Sequence, residues 1–255
     1  MKAVFLDRDG TINREVNMQN KITQAVLLSA GLGTRMRALT EKMNIPKVMT
    51  PLLGKPLLEW HIEALKKYRI TEFFINLHYL PDAIQSYFGD GSKWGVKITY
   101  ALEEPEILGT AGGIKNFDGM LGENFFALYA DTFYEIDYKN LIDFYFSKKD
   151  AIGIGTARRT DHPQDSDLAV LDDKSRVIQF FLKPHKELPK DYWGMSAPYI
   201  FLNKILQCIP PKKYYEIDHQ LVPDFLNHGY GYYAYKLQPD EFRKDIGTPE
   251  RHHEV

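Results

Sequence analysis

The sequence predicts an α/β protein: a mostly parallel or mixed sheet flanked by helices, followed by a strand-rich second half. Three observations carry this. Apolar runs of strand length alternate with amphipathic helical stretches over the first 150 residues, and the connections between them are short. Beyond residue 150 the texture changes to strands separated by polar or Pro-rich segments. The two regions are not divided by a flexible linker, and neither an internal repeat nor a low-complexity tract interrupts them.

Taken in order, "AVLLSA" is a strand entering the Gly-rich turn at Gly31 and Gly33. "KPLLEWHIEALKKY" places Leu58, Ile62 and Leu65 at helical spacing after an early Pro56, whose fixed φ suits a helix start. "EFFINLH" returns as a strand, "PDAIQSYFG" as a helix with Ile84 and Phe88 on one side, and "VKITYA" as another strand. "NFFALYAD" is a strand ending on Asp131. In the second half "AIGIGTAR", "LAVLDD", "VIQFFLK", "APYIFL" and "YYAYKL" read as strands. Ligands of such sheets gather beyond the C-terminal ends of the strands, where Gly31 and Asp131 belong.

At 255 residues, 44% hydrophobic and 13% aromatic, the chain is long and apolar enough for a substantial core. A formal charge of -2 without a sustained basic run argues against nucleic acid as a partner. The single cysteine, Cys208, forms neither an intrachain disulfide nor a thiolate metal cluster, which suits a reducing compartment. The absence of an apolar run near 18 residues argues against membrane spanning. A cytoplasmic protein is the resulting expectation.

Several chemistry-bearing residues belong at the sheet edge. Gly31 and Gly33 allow backbone N–H groups to approach phosphate oxygens, and Arg35 and Arg37 add cationic donors. Met36 occupies the place of the third glycine of the dinucleotide fingerprint, so that motif is not present. Lys47 follows Arg35 by twelve positions, between prolines that restrict the backbone. A second glycine-rich stretch, "EEPEILGTAGGI", is read as a turn whose Gly109, Gly112 and Gly113 let a flat base lie against backbone. Asp131 at a strand end and Asp245 before another turn are placed to bridge phosphates through a cation. Taken singly, Gly-x-Gly also reads as a tight turn, Lys47 as a solvated side chain and Asp245 as a cap. Together they describe a Mg-nucleotide site.

"LLSAGLGTRM", "PKVMTPLLGKPLLEW", "NLHYLPDAIQSYFGDG", "LGTAGGI", "YAD", "FLKP" and "DIGTPE" resemble, in order, the sugar-1-phosphate nucleotidyltransferases, especially short bacterial mannose- and heptose-1-phosphate guanylyltransferase-like members. The resemblance covers roughly residues 24 to 250. It implies a Rossmann-like fold with a β-rich, sugar-binding second half. It also implies an activity joining a nucleoside triphosphate and a sugar 1-phosphate into a nucleotide sugar and pyrophosphate.

On that resemblance Ala30, Gly31, Leu32, Gly33, Thr34 and Arg35 surround the triphosphate, and Lys47 stabilises the reacting phosphates. Leu108, Gly109, Thr110, Gly112 and Gly113 receive base and ribose; Asp131 and Asp245 hold Mg2+; Lys183 contacts the sugar phosphate. Arg35, Lys47, Asp131 and Lys183 form the expected catalytic set. Relatives commonly read Glu-Lys-Pro where this chain has Leu182, Lys183 and Pro184, and Met195 and Ala197 replace the usual Asn and Gly. Sugar hydroxyls are therefore assigned to Tyr199, Glu216 and Asp218. GTP with a mannose- or heptose-type 1-phosphate is the preferred pair. Uridylyl, thymidylyl or cytidylyl transfer is an alternative, as is a non-catalytic nucleotide-sugar-binding regulator. The expected partners are these small molecules, with no nucleic acid, no stable membrane association and room for a homo-oligomer.

The start of the chain carries a different signature. "FLDRDGTIN" resembles the first motif of haloacid-dehalogenase-like phosphatases, with Asp7 and Asp9 in the places of nucleophile and acid. The second pattern begins at Gln24, before such a domain could develop. The expected organisation is an extension at residues 1–22 and a nucleotidyltransferase domain at 23–255, with a nucleotide-binding half at 23–150 and a sugar-phosphate half at 151–255.

Overall fold

A computed structural model describes residues 22–246 and Thr248. Asp7 and Asp9 lie outside the described residues. The strands are β1 (Gln24–Leu28), β2 (Pro51–Leu52), β3 (Lys55–Pro56), β4 (Glu72–Leu77), β5 (Lys97–Leu102), β6 (Asn124–Tyr129) and β7 (Thr132–Glu135) in the first half. The second half adds β8 (Ala151–Arg158), β9 (Leu168–Leu171), β10 (Val177–Phe181), β11 (Trp193–Leu202), β12 (Gly231–Lys236) and β13 (Phe242–Asp245). The helices are α1 (Arg37–Met43), α2 (Leu57–Lys66), α3 (Pro81–Phe88), α4 (Gly109–Lys115), α5 (Tyr138–Ser147) and α6 (Val222–Asn227).

The expected sheet forms. β1 pairs in parallel with both β4 and β6, and β4 continues in parallel to β5. Phe73, Phe74, Ile75 and Leu77 of β4 are all buried, as in a strand covered on both faces. α2 buries Leu58, Ile62 and Leu65, and α3 buries Ile84 and Phe88, the stripes their spacing predicts. Asp137 caps α5, its side chain accepting from the backbone N–H groups of Lys139 and Asn140 at 2.9 and 3.3 Å.

The strand-rich second half continues the same sheet. β11 pairs antiparallel with β6 through one stretch and with β8 and β9 through others, joining both halves into a nine-stranded sheet among the described residues. β12 pairs in parallel with β8. The sheet is thus mixed: parallel from β6 through β1 and β4 to β5 and largely antiparallel beyond β6.

One local expectation is corrected. The glycine-rich stretch read as a turn is helix α4. Its glycines are poor helix formers, but packing demands them. A Cβ on Gly112 would lie 2.8 Å from the Lys213 carbonyl oxygen, and one on Gly113 2.5 Å from Asn76 Nδ2. At these positions the missing side chain lets protein approach protein.

Candidate active site

β1 and β6 run parallel with Leu28 opposite Tyr129, so the segments following them, residues 29–33 and 130–131, leave the sheet at one edge. β7 starts immediately after Asp131 and pairs antiparallel with β13, with Thr132 opposite Asp245. That register brings together two carboxylates more than a hundred residues apart in sequence.

Lys47 joins them. Its Nζ lies 2.6 Å from Asp131 Oδ2 and 3.7 Å from Asp245 Oδ1, while Arg35 Nη2 lies 3.8 Å from the other Asp245 oxygen. The Lys47 side chain is only 9% exposed, whereas those of Asp131 and Asp245 are 41% and 39% exposed. A cation fixed from below therefore faces carboxylates open to a ligand. Gly33 makes this possible: its φ is +58°, and a Cβ there would meet Lys47 Cβ at 3.0 Å. Beneath Asp131, buried His61 donates from Nε2 to the Ala130 carbonyl at 3.2 Å. Burial pulls the His61 pKa down to about 4, outweighing that hydrogen bond and the Asp131 charge.

Two cavities meet at this edge. The smaller, about 200 Å³, is lined by Ala30, Gly31, Gly109 and Thr110 together with Asn76 and Glu103. The larger, about 920 Å³, takes in Asp131, Asp245, Lys183, Glu216 and Asp218. Thr110, Tyr129 and Glu216 line both, so the cavities form a continuous cleft.

The smaller cavity has a rigid back wall. Glu103 is buried and accepts from Asn76 Nδ2 at 2.8 Å and from the Leu108 N–H at 2.7 Å, while Asn76 Oδ1 accepts from the Ser29 N–H at 2.8 Å. This chain ties the loop after β1 to the start of α4. Burial raises the Glu103 pKa, against the two hydrogen bonds. Glu103 and Asn76 are not among the residues singled out from the sequence; the first carboxylate of "EEPEILGT", directly after the strand "VKITYAL", was the available signal.

In the larger cavity, Lys183 Nζ donates to the Asp165 carbonyl at 3.3 Å, and its backbone N–H donates to Asp167 Oδ1. Asp218 receives hydroxyl hydrogen bonds from Tyr129 at 2.7 Å and Tyr199 at 2.9 Å. Burial nevertheless raises its pKa to about 6. Tyr199 is completely buried and outside both linings, so it holds Asp218 in place from behind. Leu32, Gly33, Thr34, Arg35, Lys47, Leu108, Gly112 and Gly113 are likewise outside the two linings, Arg35 and Lys47 reaching the larger one through their ion pairs with Asp131 and Asp245.

The fold and this cluster define an α/β protein with a polar cleft beyond the C-terminal ends of its parallel strands, two carboxylates and a shared lysine at the centre. Residues 24–255 match the Nucleotidyl transferase family, and the chain belongs to it. It is 30% identical over 231 residues to the mannose-1-phosphate guanylyltransferase of Mycobacterium tuberculosis, covering 89% of this chain and 61% of that protein. It is 29% identical over 229 residues to the UTP–glucose-1-phosphate uridylyltransferase of Synechocystis, covering 84% and 58%. The chain thus spans about three fifths of the length of these relatives. Among solved structures, HddC from Yersinia pseudotuberculosis complexed with GMP-PN superposes with a TM-score of 0.71 at 25% identity, covering 91% of this chain and 97% of HddC.

Proposed function

We propose that the chain transfers a nucleotidyl group from a nucleoside triphosphate to a sugar 1-phosphate, releasing pyrophosphate. The observation that carries this reading is the Asp131–Lys47–Asp245 cluster, whose two carboxylates line the larger cavity. The smaller cavity suits base and ribose against Gly31, Gly109 and Thr110; the larger accommodates the sugar phosphate near Lys183.

In the reaction an oxygen of the sugar phosphate attacks the α-phosphorus, the bond to the bridging oxygen breaks, and pyrophosphate leaves with the electron pair. The attacking oxygen is already ionised at neutral pH, so a strong general base is not required. The protein's task is to hold the two phosphates in line and offset their charge. Lys47, anchored from below, and Arg35 at the rim present cations to the triphosphate. Lys183 presents one to the acceptor.

The family's chemistry calls for a divalent metal, and Asp131 and Asp245 suit Mg2+ as hard oxygen donors open to the cleft. Among the described residues there is no group of three or more His, Cys, Asp or Glu that could hold a metal. A pair is sufficient for Mg2+, which retains waters and takes phosphate oxygens as its remaining ligands. When bound, the ion would withdraw charge from the α-phosphate and pyrophosphate oxygens.

GTP with a mannose- or heptose-type 1-phosphate is the pair we favour, supported by the guanylyltransferase relative and the GMP-PN complex of HddC. Uridylyl transfer is the second reading, supported by the Synechocystis relative. An assay crossing GTP, UTP, dTTP and CTP with glucose, mannose, heptose and amino-sugar 1-phosphates decides between them. Preference for GTP supports the first reading; preference for UTP or dTTP overturns the base assignment and leaves the reaction class standing. Tight product binding without turnover across the panel would identify a regulator instead.

A further inference from the structure

Two arginines in the larger cavity have no role in the scheme above. Arg158 ends β8, Arg243 lies in the middle of β13, and both line the cavity. Arg243 is buried. Its Nη1 donates to the Thr156 carbonyl at 3.0 Å and to Thr156 Oγ1 at 2.5 Å, and its Nη2 to the Gly194 carbonyl at 2.8 Å. Arg158 Nη1 donates to the Arg243 carbonyl at 3.1 Å.

All of these acceptors are neutral. Among the described residues the arginine ion pairs are those of Arg35, Arg37, Arg159 and Arg176; neither Arg158 nor Arg243 pairs with a carboxylate. A guanidinium has five N–H groups, and the three contacts of Arg243 leave its Nε–H and one Nη2–H without a described acceptor. Asp218, in the same cavity, is held by Tyr129 and Tyr199.

A buried cation with no carboxylate in contact, Asp218 acting on it only at longer range, is costly, and a second guanidinium beside it adds repulsion. A guanidinium stays protonated at neutral pH, so the charge remains to be offset. Such an arrangement becomes favourable when an anion enters, because guanidinium N–H pairs match the oxygens of phosphate and carboxylate. The triphosphate is already served by Lys47 and Arg35, and the acceptor's 1-phosphate by Lys183.

We propose that Arg243 and Arg158 seat a second anionic group of the acceptor, a phosphate or carboxylate carried on the sugar itself. The preferred acceptors are then doubly substituted, anionic sugar 1-phosphates. This rests on the nucleotidyl-transfer reading and narrows its substrate class.

The test compares kcat/KM for glucose 1-phosphate, glucose 1,6-bisphosphate and glucuronic acid 1-phosphate, with their mannose counterparts, using the preferred triphosphate. At least one doubly anionic acceptor is expected to be favoured by about tenfold or more, as charge-assisted hydrogen bonds allow. The bisphosphate and uronic acid arms separate phosphate from carboxylate. Arg243→Lys and, at an exposed strand end, Arg158→Gln should reduce that preference by about tenfold, acting on the acceptor KM and not on that of the triphosphate. Equal or better use of the singly substituted sugars overturns the proposal. So does an equal proportional loss for every acceptor in both variants, which would assign the pair to the 1-phosphate or to the fold. If no acceptor reacts, the transfer reading falls, and calorimetric titration with the same sugars still decides the subsite. Tighter binding of a doubly anionic sugar supports it; indistinguishable binding overturns it.

Discussion

Lys47 Nζ lies 2.6 Å from Asp131, and Lys47 is buried while the carboxylate is open to the cleft. The asymmetry separates stability from activity. Asp131→Asn removes formal charge with little change of volume, and the position stays hydrated, so melting temperature should move by no more than about 2–4 °C. Turnover should fall by about a hundredfold or more, because phosphate charge is no longer offset at the reacting centre. Thermal unfolding beside steady-state kinetics checks both. Wild-type turnover in the variant would remove Asp131 from the reaction.

Gly31 and Gly33 should respond differently to alanine. A Cβ at Gly31 meets nothing within 4 Å, while Gly33 has φ +58° and closes on Lys47 at 3.0 Å. Gly33→Ala should cost about 1–2 kcal/mol for the left-handed backbone and lower kcat by displacing Lys47. Gly31→Ala should leave stability within about 0.5 kcal/mol and raise the triphosphate KM, since the cavity wall is then closer to the ligand. Denaturant melts and kinetics of the two variants distinguish these effects; an unchanged triphosphate KM for Gly31→Ala would remove that loop from phosphate binding.

Asp218 and His61 oppose each other in their pH dependence. Burial raises the Asp218 pKa from 3.8 to about 6, so the folded state holds its proton where the unfolded state has lost it. Its contribution favours the fold below pH 4 and is lost as pH rises through about 6. His61, lowered from 6.5 to about 4, does the reverse: its contribution is present above pH 6.5 and is lost as pH falls through about 4. Each is worth about 3 kcal/mol by linkage, with nearly overlapping windows. Asp218→Asn should therefore make stability climb with pH between 4 and 6.5 more steeply than in the wild type, measured by denaturant unfolding without divalent metal. An unchanged slope would mean that Asp218 titrates normally.

The parts of this account that the sequence makes legible are the local ones. Leu58, Ile62 and Leu65 mark α2, and "AVLLSA" and "NFFALYAD" mark strands that end at the site, because periodicity and termination are written in adjacent residues. Helix α4 was hidden by glycines whose reason is contact with Asn76 and Lys213, residues far away in the chain. The pairing of β7 with β13 is equally non-local, so Asp131 and Asp245 could be nominated separately but their shared lysine contact could not be read. Tyr199 was expected at the sugar and instead supports Asp218 from the core. Arg243, within "EFRKD", has the appearance of a solvated charge run; only the approach of Thr156 and Gly194 reveals a buried guanidinium.

The central claim is nucleotidyl transfer at the Asp131–Lys47–Asp245 cluster, and pyrophosphate release measured with each substrate omitted in turn tests it most directly. The account predicts magnesium-dependent release only when the cognate triphosphate and a sugar 1-phosphate are both present, with a nucleotide sugar formed in equal amount and both products lost in Lys47→Met. Pyrophosphate released from triphosphate alone at the same rate, or no release with any pair of substrates, would contradict it.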